Sequence, residues 1–259
     1  MEFTVAVLGS GSKGNACVVG CDGLNLMVDA GFSRRELLSR MGQSGIDPCS
    51  IRAVLLTHEH SDHVKGARVF CDEMNIPLFV APRAAEYLRR HNHLPSKVIL
   101  FSPGDAFLVC GFEVASFPVR HDALDPVGFA ISAGGRRVGI ATDLGCVSGP
   151  VSTCLAGCDA LLLEANYDLE MLRASDRPFD LKRRIMGMSG HLDNLDALKA
   201  LPVLLSERTR NLVFTHVSRE CNSYDLVEKL ALQALGELNR FDIKLQVARQ
   251  EEPAPVLRF

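Results

Sequence analysis

Short apolar runs bounded by Gly or Asp recur along the chain and alternate with longer amphipathic stretches. Such short runs between turn residues are typical of buried strands. The runs predicted as strands are residues 5–8, 17–19, 24–28, 53–56, 78–80, 112–119, 127–132, 136–142, 160–164, 211–215 and 243–247. The pair Gly134-Gly135 between two of these runs predicts a hairpin turn.

Other stretches carry apolar residues at helical spacing. The predicted helices are residues 33–41, 64–74, 82–91, 192–201 and 223–238. In the last of them Val227 and Ala231 lie on one stripe, which is typical of a helix packed against a sheet. Strand-rich halves that each end in helices predict an α/β (α+β) fold in which two sheets pack together with helices outside.

Composition and net charge restrict the class of protein and the number of domains. The chain has 259 residues, 47% of them hydrophobic and 23% charged, which is ordinary for a globular protein. We find no long linker, internal repeat or low-complexity tract, so one domain over residues 1–259 is the simplest prediction. A net charge of −3 excludes a globally basic protein that coats nucleic acid, but it permits a local basic patch.

Location is predicted from cysteine usage and from the apolar runs. Nine cysteines at scattered spacings indicate reduced thiols in a cytoplasmic protein. The first residues lack a basic region before their apolar residues, so no secretory signal is expected. No apolar run reaches the roughly 18 residues that a membrane-spanning helix needs, and no membrane association is expected.

The most informative segment is Thr57-His58-Glu59-His60-Ser61-Asp62-His63, between a predicted strand and a predicted helix. At such a turn the alternate side chains of His58 and His60 converge on one point. Asp62 and His63, at the start of the helix, face a second point nearby. Imidazole and carboxylate groups are ligands of zinc, manganese and iron, so this density favours a metal site over a solvated polar loop.

Three more potential ligands stand where other predicted strands end. Taken singly, each of them is more typical of a capping Asp or a surface His, but their joint occurrence predicts a two-metal hydrolytic centre. The first predicted metal site comprises His58, His60 and His121, and the second comprises Asp62, His63 and His216, with Asp143 bridging the two.

The order His-x-His-x-Asp-His, His, Asp, His resembles that of the metallo-β-lactamase superfamily, whose fold is a four-layer αββα sandwich. Further motifs resemble the YycJ/WalJ-like branch of single-domain bacterial exonucleases and cover essentially the whole chain. These motifs are residues 10–15, 27–31, 57–66, 190–194 and 216–222. One departure is Asp193, where that branch more often has Ser.

The resemblance implies two roles around the metals. Asp29 is implied to hold the histidine loop through hydrogen bonds, although a turn-capping role is the alternative. In the related ribonuclease Z enzymes, a Glu and a His in comparable motifs form a proton relay to the leaving oxygen. The resemblance implies the same relay in this chain, with His191 as the general acid. Glu164 would fix the tautomer of His191 and raise its pKa. A salt bridge is the alternative role for Glu164. Asp62 is expected to be both a ligand and a catalytic residue.

Two segments are candidates for binding phosphate. The glycine loop at residues 10–15 offers backbone N–H groups, and the basic triplet at residues 182–184 lies shortly before the proposed acid. By themselves, these segments are also typical of a tight turn and of a solvated face. The predicted substrate-binding residues are Ser12, Lys13, Asn15, Lys182, Arg183 and Arg184.

The favoured function is a phosphodiesterase acting on nucleic acid, with two divalent ions (Zn or Mn, with Fe also compatible) that share a bridging hydroxide. The resemblance implies a 5′→3′ exonuclease on single-stranded or end-bearing DNA. One alternative is a small-molecule metallo-hydrolase for a thioester, a lactone or a cyclic phosphodiester. Another is a catalytically idle metal-binding module.

The spacing of the ligands bears on how substrate is bound. Only 21 residues separate His121 from Asp143, too few for an inserted cap domain. Binding of the nucleic-acid backbone is therefore expected rather than recognition of bases. The residues alone leave the metal, DNA versus RNA, and the oligomeric state open.

Overall fold

Six strands of the first half and the last strand of the chain form a seven-stranded mixed sheet in the computed structural model, which describes residues 2–259. These strands are β1 (Phe3–Gly9), β2 (Ala16–Cys21), β3 (Leu24–Val28), β4 (Ile51–Leu55), β5 (Leu78–Val80) and β6 (Val98–Leu100), and a short last strand, β14 (Leu257–Arg258), pairs with β1. The pairs β14–β1, β1–β2 and β2–β3 are antiparallel, and the pairs from β3 to β6 are parallel.

The second half forms a matching seven-stranded sheet. Its strands are β7 (Ala106–Val109), β8 (Phe112–Pro118), β9 (Val127–Ala133), β10 (Arg136–Ala141), β11 (Ala160–Glu164), β12 (Asn211–Thr215) and β13 (Lys244–Val247). The predicted hairpin is confirmed between β9 and β10, because Gly134 and Gly135 both have positive φ, at 57° and 75°. Two successive residues with positive φ make the tight turn that suits the twist of a hairpin.

Nine helices lie outside the sheets within residues 2–259. They are α1 (Arg34–Gln43), α2 (Ser61–Val64), α3 (Ala67–Met74), α4 (Pro82–Arg90), α5 (Gly149–Leu155), α6 (Leu169–Ala174), α7 (Phe179–Ile185), α8 (Asn194–Leu204) and α9 (Tyr224–Glu237). None of these described helices combines the length and the apolar character that crossing a bilayer requires.

Three apolar layers hold the elements together. Inward side chains of both sheets, such as Val19 and Phe129, form the central layer. Helices α1, α3 and α4 cover the outer face of the first sheet through residues such as Phe70, and α5, α8 and α9 cover the second through residues such as Leu201. Each fully buried side chain of this size contributes about 1.5–3 kcal/mol. The predicted αββα sandwich is confirmed.

The structure differs from the prediction at several elements. The predicted helix at residues 64–74 is interrupted between α2 and α3, where Gly66 N donates to Ala30 O at 2.8 Å. A Cβ on Gly66 would lie 2.1 Å from the Phe32 carbonyl oxygen, so only glycine permits this approach. Helices α5 to α7 and strands β6, β7 and β14 were not predicted, because they are short and mostly lack a clear apolar period.

Candidate metal centre

Polar residues follow the ends of several strands at one edge of the sandwich, and three of them have left-handed backbones. Asp29 follows β3, Asp143 lies two residues beyond β10, and His216 follows β12, with φ of 59°, 54° and 55°. A left-handed conformation costs an L-residue roughly 1–2 kcal/mol, although Asp tolerates it better than most. Backbone strain of this kind is typical of functional sites.

One cluster of histidines lies where the segment after β4 meets the loop after β8. His58, His60 and His121 each place a ring nitrogen within 4.8 Å of the others. His121 Nε2 lies 3.3 Å from His60 Nδ1, and the Nδ1 of His121 donates to the Gly190 carbonyl at 3.0 Å. The backbone contact therefore fixes which nitrogen of His121 points into the cluster.

A second cluster lies beside the first and contains Asp62, His63 and His216. Asp62 Oδ2 lies 3.5 Å from His216 Nε2 and 3.6 Å from His63 Nε2. The side-chain amide of Asn15 approaches the same group, at 3.3 Å from Asp62 Oδ2 and 3.0 Å from His63 Nε2. The two predicted sets of three side chains are therefore brought together as two neighbouring groups.

Asp143 lies between the clusters and is 2% exposed. Its Oδ2 is 3.1 Å from His63 Nε2. Its Oδ1 is 3.5 Å from His216 Nε2 and 3.7 Å from His121 Nε2. This carboxylate thus contacts both clusters, which is the position expected of a bridging ligand.

One observation besides the spacing of the side chains also indicates that this site would bind divalent ions. His58 Nε2 is buried and has no hydrogen-bond partner among residues 2–259, while its Nδ1 lies 3.0 Å from Thr57 Oγ1. Burial and the charge of His63 hold the pKa of His58 well below its usual value, so the ring is neutral. An unpaired nitrogen on a neutral buried imidazole is costly without a partner, and a metal ion supplies one.

Electrostatics also favours cations at this edge. Burial alone would lower the pKa of His63, but the carboxylates of Asp29 and Asp143 outweigh it and raise that pKa well above its usual value. Burial alone would raise the pKa of Asp143, but the charges of His216 and His63 hold it well below its usual range. The buried carboxylates therefore require positive charge close by, which divalent ions would also provide.

Asp29 makes the contacts expected of a residue that holds the histidine loop. One carboxylate oxygen accepts from His63 Nδ1 at 2.7 Å, and the other accepts from Thr57 N at 2.9 Å. These bonds leave His63 Nε2 directed towards Asp143. A carboxylate behind a ligand histidine in this way fixes the orientation of the ring.

The pair implied for proton transfer is also in contact. His191 Nδ1 lies 2.7 Å from Glu164 Oε1, and the other oxygen of Glu164 accepts from Leu144 N at 2.8 Å. Glu164 is fully buried at the end of β11. Burial alone would lower the pKa of His191, but the Glu164 carboxylate outweighs it and raises that pKa.

Three residues that sequence reasoning missed support these side chains. Glu59 is buried and accepts from Leu124 N at 3.0 Å, which ties the histidine loop to the loop after β8. The Asn166 amide lies 3.1 Å from His216 Nδ1, and an Asp122 oxygen lies 3.4 Å from His121 Nε2. Glu59 lies within the histidine motif and could have been found there. No sequence pattern around Asn166 or Asp122 indicates their contacts.

The three predicted substrate-binding residues of the glycine loop differ in their exposure to solvent. Ser12 and Lys13 are exposed, and the Lys13 backbone N–H donates to Gln250 Oε1 at 2.7 Å. Asn15 is buried, and its Oδ1 accepts from Gly11 N at 2.9 Å while its amide group contacts the second cluster. Asn15 therefore contacts the second cluster from a buried position, and its predicted contact with substrate stays a prediction.

The basic triplet is also divided. Lys182 Nζ donates to the carbonyls of Arg173 and Ser175 at 2.7 and 2.6 Å, so its ammonium group is occupied by the chain itself. The predicted phosphate role of Lys182 stays a prediction, and it would require the ammonium group to leave these carbonyls. Arg183 is exposed, and Arg184 pairs with Asp122 and lines a pocket next to His191.

The departure at Asp193 has a simple structural account. Asp193 precedes α8, and its side chain accepts a hydrogen bond from Asp196 N at 2.9 Å. Asp and Ser are both favoured in this capping position, so Asp193 can replace Ser with little effect on the helix.

Residues 24–217 match the family described as Beta-lactamase superfamily domain. The chain is 35% identical to Exodeoxyribonuclease YycJ of Bacillus anthracis, over 92% of this chain and 90% of that protein. It is 30% identical to Exodeoxyribonuclease WalJ of Streptococcus pneumoniae, over 91% and 89%. The solved structure of the metallo-β-lactamase fold protein YhfI of Bacillus subtilis aligns with this chain over 100% of both proteins, with a TM-score of 0.74 and 17% identity. This similarity shows a shared fold.

The fold, the buried His/Asp clusters and these matches define a metal-dependent hydrolase of the metallo-β-lactamase fold. Within that class, the chain belongs to the beta-lactamase superfamily and to its YycJ/WalJ branch. The family predicted from the sequence motifs is therefore confirmed.

Proposed function

We propose that the protein is a two-metal phosphodiesterase that degrades DNA stepwise from the 5′ end. The observation that carries the proposal is the position of Asp143 between two ligand clusters, with the His191–Glu164 pair beside them. The names of YycJ and WalJ, which match about nine tenths of this chain, support DNA as the substrate. The direction of cleavage comes from the resemblance to that branch.

The metal-binding residues are those of the two clusters, with Asp143 shared. One ion would be held by His58, His60 and His121, and the other by Asp62, His63 and His216. These residues would hold divalent ions, Zn or Mn with Fe also compatible, which would lower the pKa of water towards about 7 and offset charge on phosphate oxygens.

The protein's own groups move the proton. Because His191 Nδ1 faces Glu164, its Nε2 is the nitrogen left for the substrate. Glu164 is held in turn by Leu144 N, so the imidazole has a fixed tautomer and orientation. His191 then donates a proton to the oxygen that leaves phosphorus, which is the role of a general acid.

Other residues position these groups and the substrate. Asp62, at the start of α2, is both a ligand and a catalytic residue, and Asp29 orients His63 behind it. Ser12 and Lys13 are exposed in the glycine loop, which supports a role in binding the phosphate backbone of a single strand or a strand end. All nine cysteines are free thiols, and we therefore propose a cytoplasmic location.

The experiment uses metal-loaded protein with end-labelled single-stranded and duplex DNA. A 5′-labelled strand should release a mononucleotide or short labelled product at once, whereas a 3′-labelled strand should shorten as a ladder. The His60→Ala variant, purified in parallel, should lose metal and activity together. If both labels stay intact while a thioester or lactone is hydrolysed rapidly, the protein is a small-molecule hydrolase instead.

A further inference from the structure

A pocket of about 140 Å³ opens beside the metal centre. His191 and His216 form its wall on the side of the metal centre, and Arg177 and Arg184 belong to the rest of its lining. Ser12, Asn166 and Ser218 add polar groups. We refer to this feature, defined by the two arginines and by its contact with His191, as the arginine pocket.

Each arginine is held along one edge by a carboxylate. Arg177 Nε donates to Glu220 Oε2 at 3.1 Å, and Arg184 Nε pairs with Asp122. Within residues 2–259, neither terminal nitrogen of Arg184 has a hydrogen-bond partner, and the same is true of Nη1 of Arg177. Guanidinium groups oriented in this way retain free donors for phosphate oxygens, which they bind strongly.

We propose that the arginine pocket binds the 5′-terminal phosphate of the strand being degraded. This inference rests on the proposed nuclease function. A terminal phosphate carries about −1.5 to −2 charges near neutral pH, whereas an internal diester carries a single negative charge. Two arginines in one pocket therefore favour a strand end over the interior of a strand, even though Asp122 and Glu220 offset part of their charge.

The size of the pocket favours the same occupant. At about 30 Å³ per water, its volume corresponds to about five waters. This space is sufficient for a phosphate group. Leu181 and Ile185 of α7 contribute apolar groups to its lining.

The position of His191 relates this end to the bond that breaks. Because His191 lines the pocket, the oxygen that it protonates lies on the pocket side of the scissile phosphate. The water oxygen bonds to phosphorus, the P–O3′ bond breaks, and O3′ takes the proton of His191. The proton lost by the water restores His191 through solvent. The leaving group is then the terminal nucleotide, whose 5′-phosphate occupies the arginine pocket.

The products are consistent with repeated cleavage. Each turnover releases a nucleoside 5′-monophosphate and leaves a new 5′-phosphate on the shortened strand. The shortened strand therefore carries the same kind of end that the pocket binds, and the next turnover starts from an equivalent complex.

The test compares matched single strands that differ only in a 5′-phosphate or a 5′-hydroxyl, each labelled at the 3′ end. Binding to the metal-loaded protein is measured by fluorescence anisotropy with a phosphorothioate at the first linkage, which slows cleavage. Turnover is measured on unmodified strands. We expect the 5′-phosphate to improve both Kd and kcat/KM by about tenfold, since a hydrogen bond to a charged group is strong.

Three variants assign the preference to the pocket. In the double variant Arg177→Gln/Arg184→Gln, the ratio of kcat/KM between 5′-phosphate and 5′-hydroxyl strands should fall towards one. The single variant Arg177→Lys, which keeps Arg184 and a positive charge at position 177, should retain part of the preference. Arg173→Gln is the matched control, because Arg173 is exposed, pairs only with Glu170 and does not line the pocket. Its ratio and its basal activity should equal those of the unaltered protein.

The outcomes separate this inference from the nuclease function. Equal rates and affinities for the two ends, or a preference that survives in the double variant, would overturn the pocket assignment while cleavage itself stands. If no strand is cleaved but the binding preference is present and lost in the double variant, the nuclease function fails and the phosphate pocket stands.

Discussion

The metal centre and the arginine pocket lie side by side, but they are built in different ways. Most side chains of the centre are buried: His63 is fully buried, and Asp143 and His216 are 2% and 4% exposed. Their polar atoms must have partners, because an unpaired buried group costs about 1–3 kcal/mol. In the pocket, by contrast, the Arg184 side chain is 61% exposed, and an exposed ion pair contributes at most about 1 kcal/mol.

This difference has a consequence for mutation. Removing a group from the metal centre should leave other buried groups without partners, so effects there should be large and should include metal content. The two pocket arginines pair with carboxylates that are themselves exposed or partly exposed, so the effects of removing them should appear mainly in substrate binding.

Asp143→Ala should produce the largest loss. The Asp143 carboxylate, which we propose as the bridge, contacts His63, His121 and His216, so both proposed metal sites should empty and activity should fall to that of protein-free buffer. Metal content per chain is measured by elemental analysis and should drop from two towards zero. Unfolding temperature should drop too, because bound ions stabilise the folded state.

The control for that variant is Asp225→Ala, which removes an exposed carboxylate from the first turn of α9. It should keep both metals and full activity. Asp143→Asn retains the shape of the side chain and distinguishes metal loss from misfolding. Two metals per chain and normal turnover in Asp143→Ala would contradict the assignment of the centre.

His191→Ala should have the next largest effect and should separate chemistry from metal binding. Turnover should fall by about 10²–10⁴-fold, the usual contribution of a general acid, while both metals remain. A phosphodiester with a p-nitrophenyl leaving group should recover part of the loss, since that group departs without a proton. Steady-state rates on both substrates, together with metal analysis, check this prediction.

His93→Ala is the matched control, because His93 is an exposed histidine after α4. It should behave like the unaltered protein in every assay. If His191→Ala instead loses a metal ion, His191 is a ligand and the proton-transfer role is wrong.

The same contrast explains how much could be predicted from the sequence. The proposed ligands from His58 to His63 are close in the chain, and each distant one follows a strand, so hydrophobic pattern and residue type were enough to predict a cluster of these side chains. The supporting contacts of Asn166 and Asp122 join segments far apart in the chain. No local pattern records such pairs, because they depend on how the two sheets pack.

The fold shows the same limit. Strands such as β11 and β12 are continuous apolar runs because both faces are covered, and they were predicted. Helix α7 buries only Ile185 and carries three basic residues in its last turn, so it lacks an apolar stripe. Its position is set by tertiary contacts, and Arg184 could not be placed in a pocket from the sequence.

A smaller effect is expected from Asp29→Asn, which tests whether the hydrogen bond between Asp29 and His63 contributes to metal binding. The Asp29 carboxylate accepts bonds from His63 Nδ1 and Thr57 N and touches no substrate. Loss of such a contact typically lowers metal affinity or activity by about 10–100-fold. Competition with a chelator measures the affinity, and activity at saturating metal shows how much of the loss excess metal recovers.

Asp225→Asn is the control for Asp29→Asn, because it makes the same chemical change at an exposed site. An unchanged metal affinity in Asp29→Asn would mean that Asp29 only caps the turn after β3. That outcome would reduce the contrast between the two regions, because a buried carboxylate would then be as dispensable as an exposed charge.

The smallest effect should come from single lysines near the substrate path. Lys13 is exposed in the glycine loop, so Lys13→Ala should reduce the log–log salt slope of single-strand binding by about 0.7, the value for one phosphate contact. Lys182→Ala should leave the slope unchanged and lower stability slightly, because its ammonium group bonds to the carbonyls of Arg173 and Ser175. Both variants should retain their metals. Binding isotherms at several salt concentrations measure the slopes, and an equal reduction in Lys182→Ala would show that this lysine releases its backbone contacts to bind DNA.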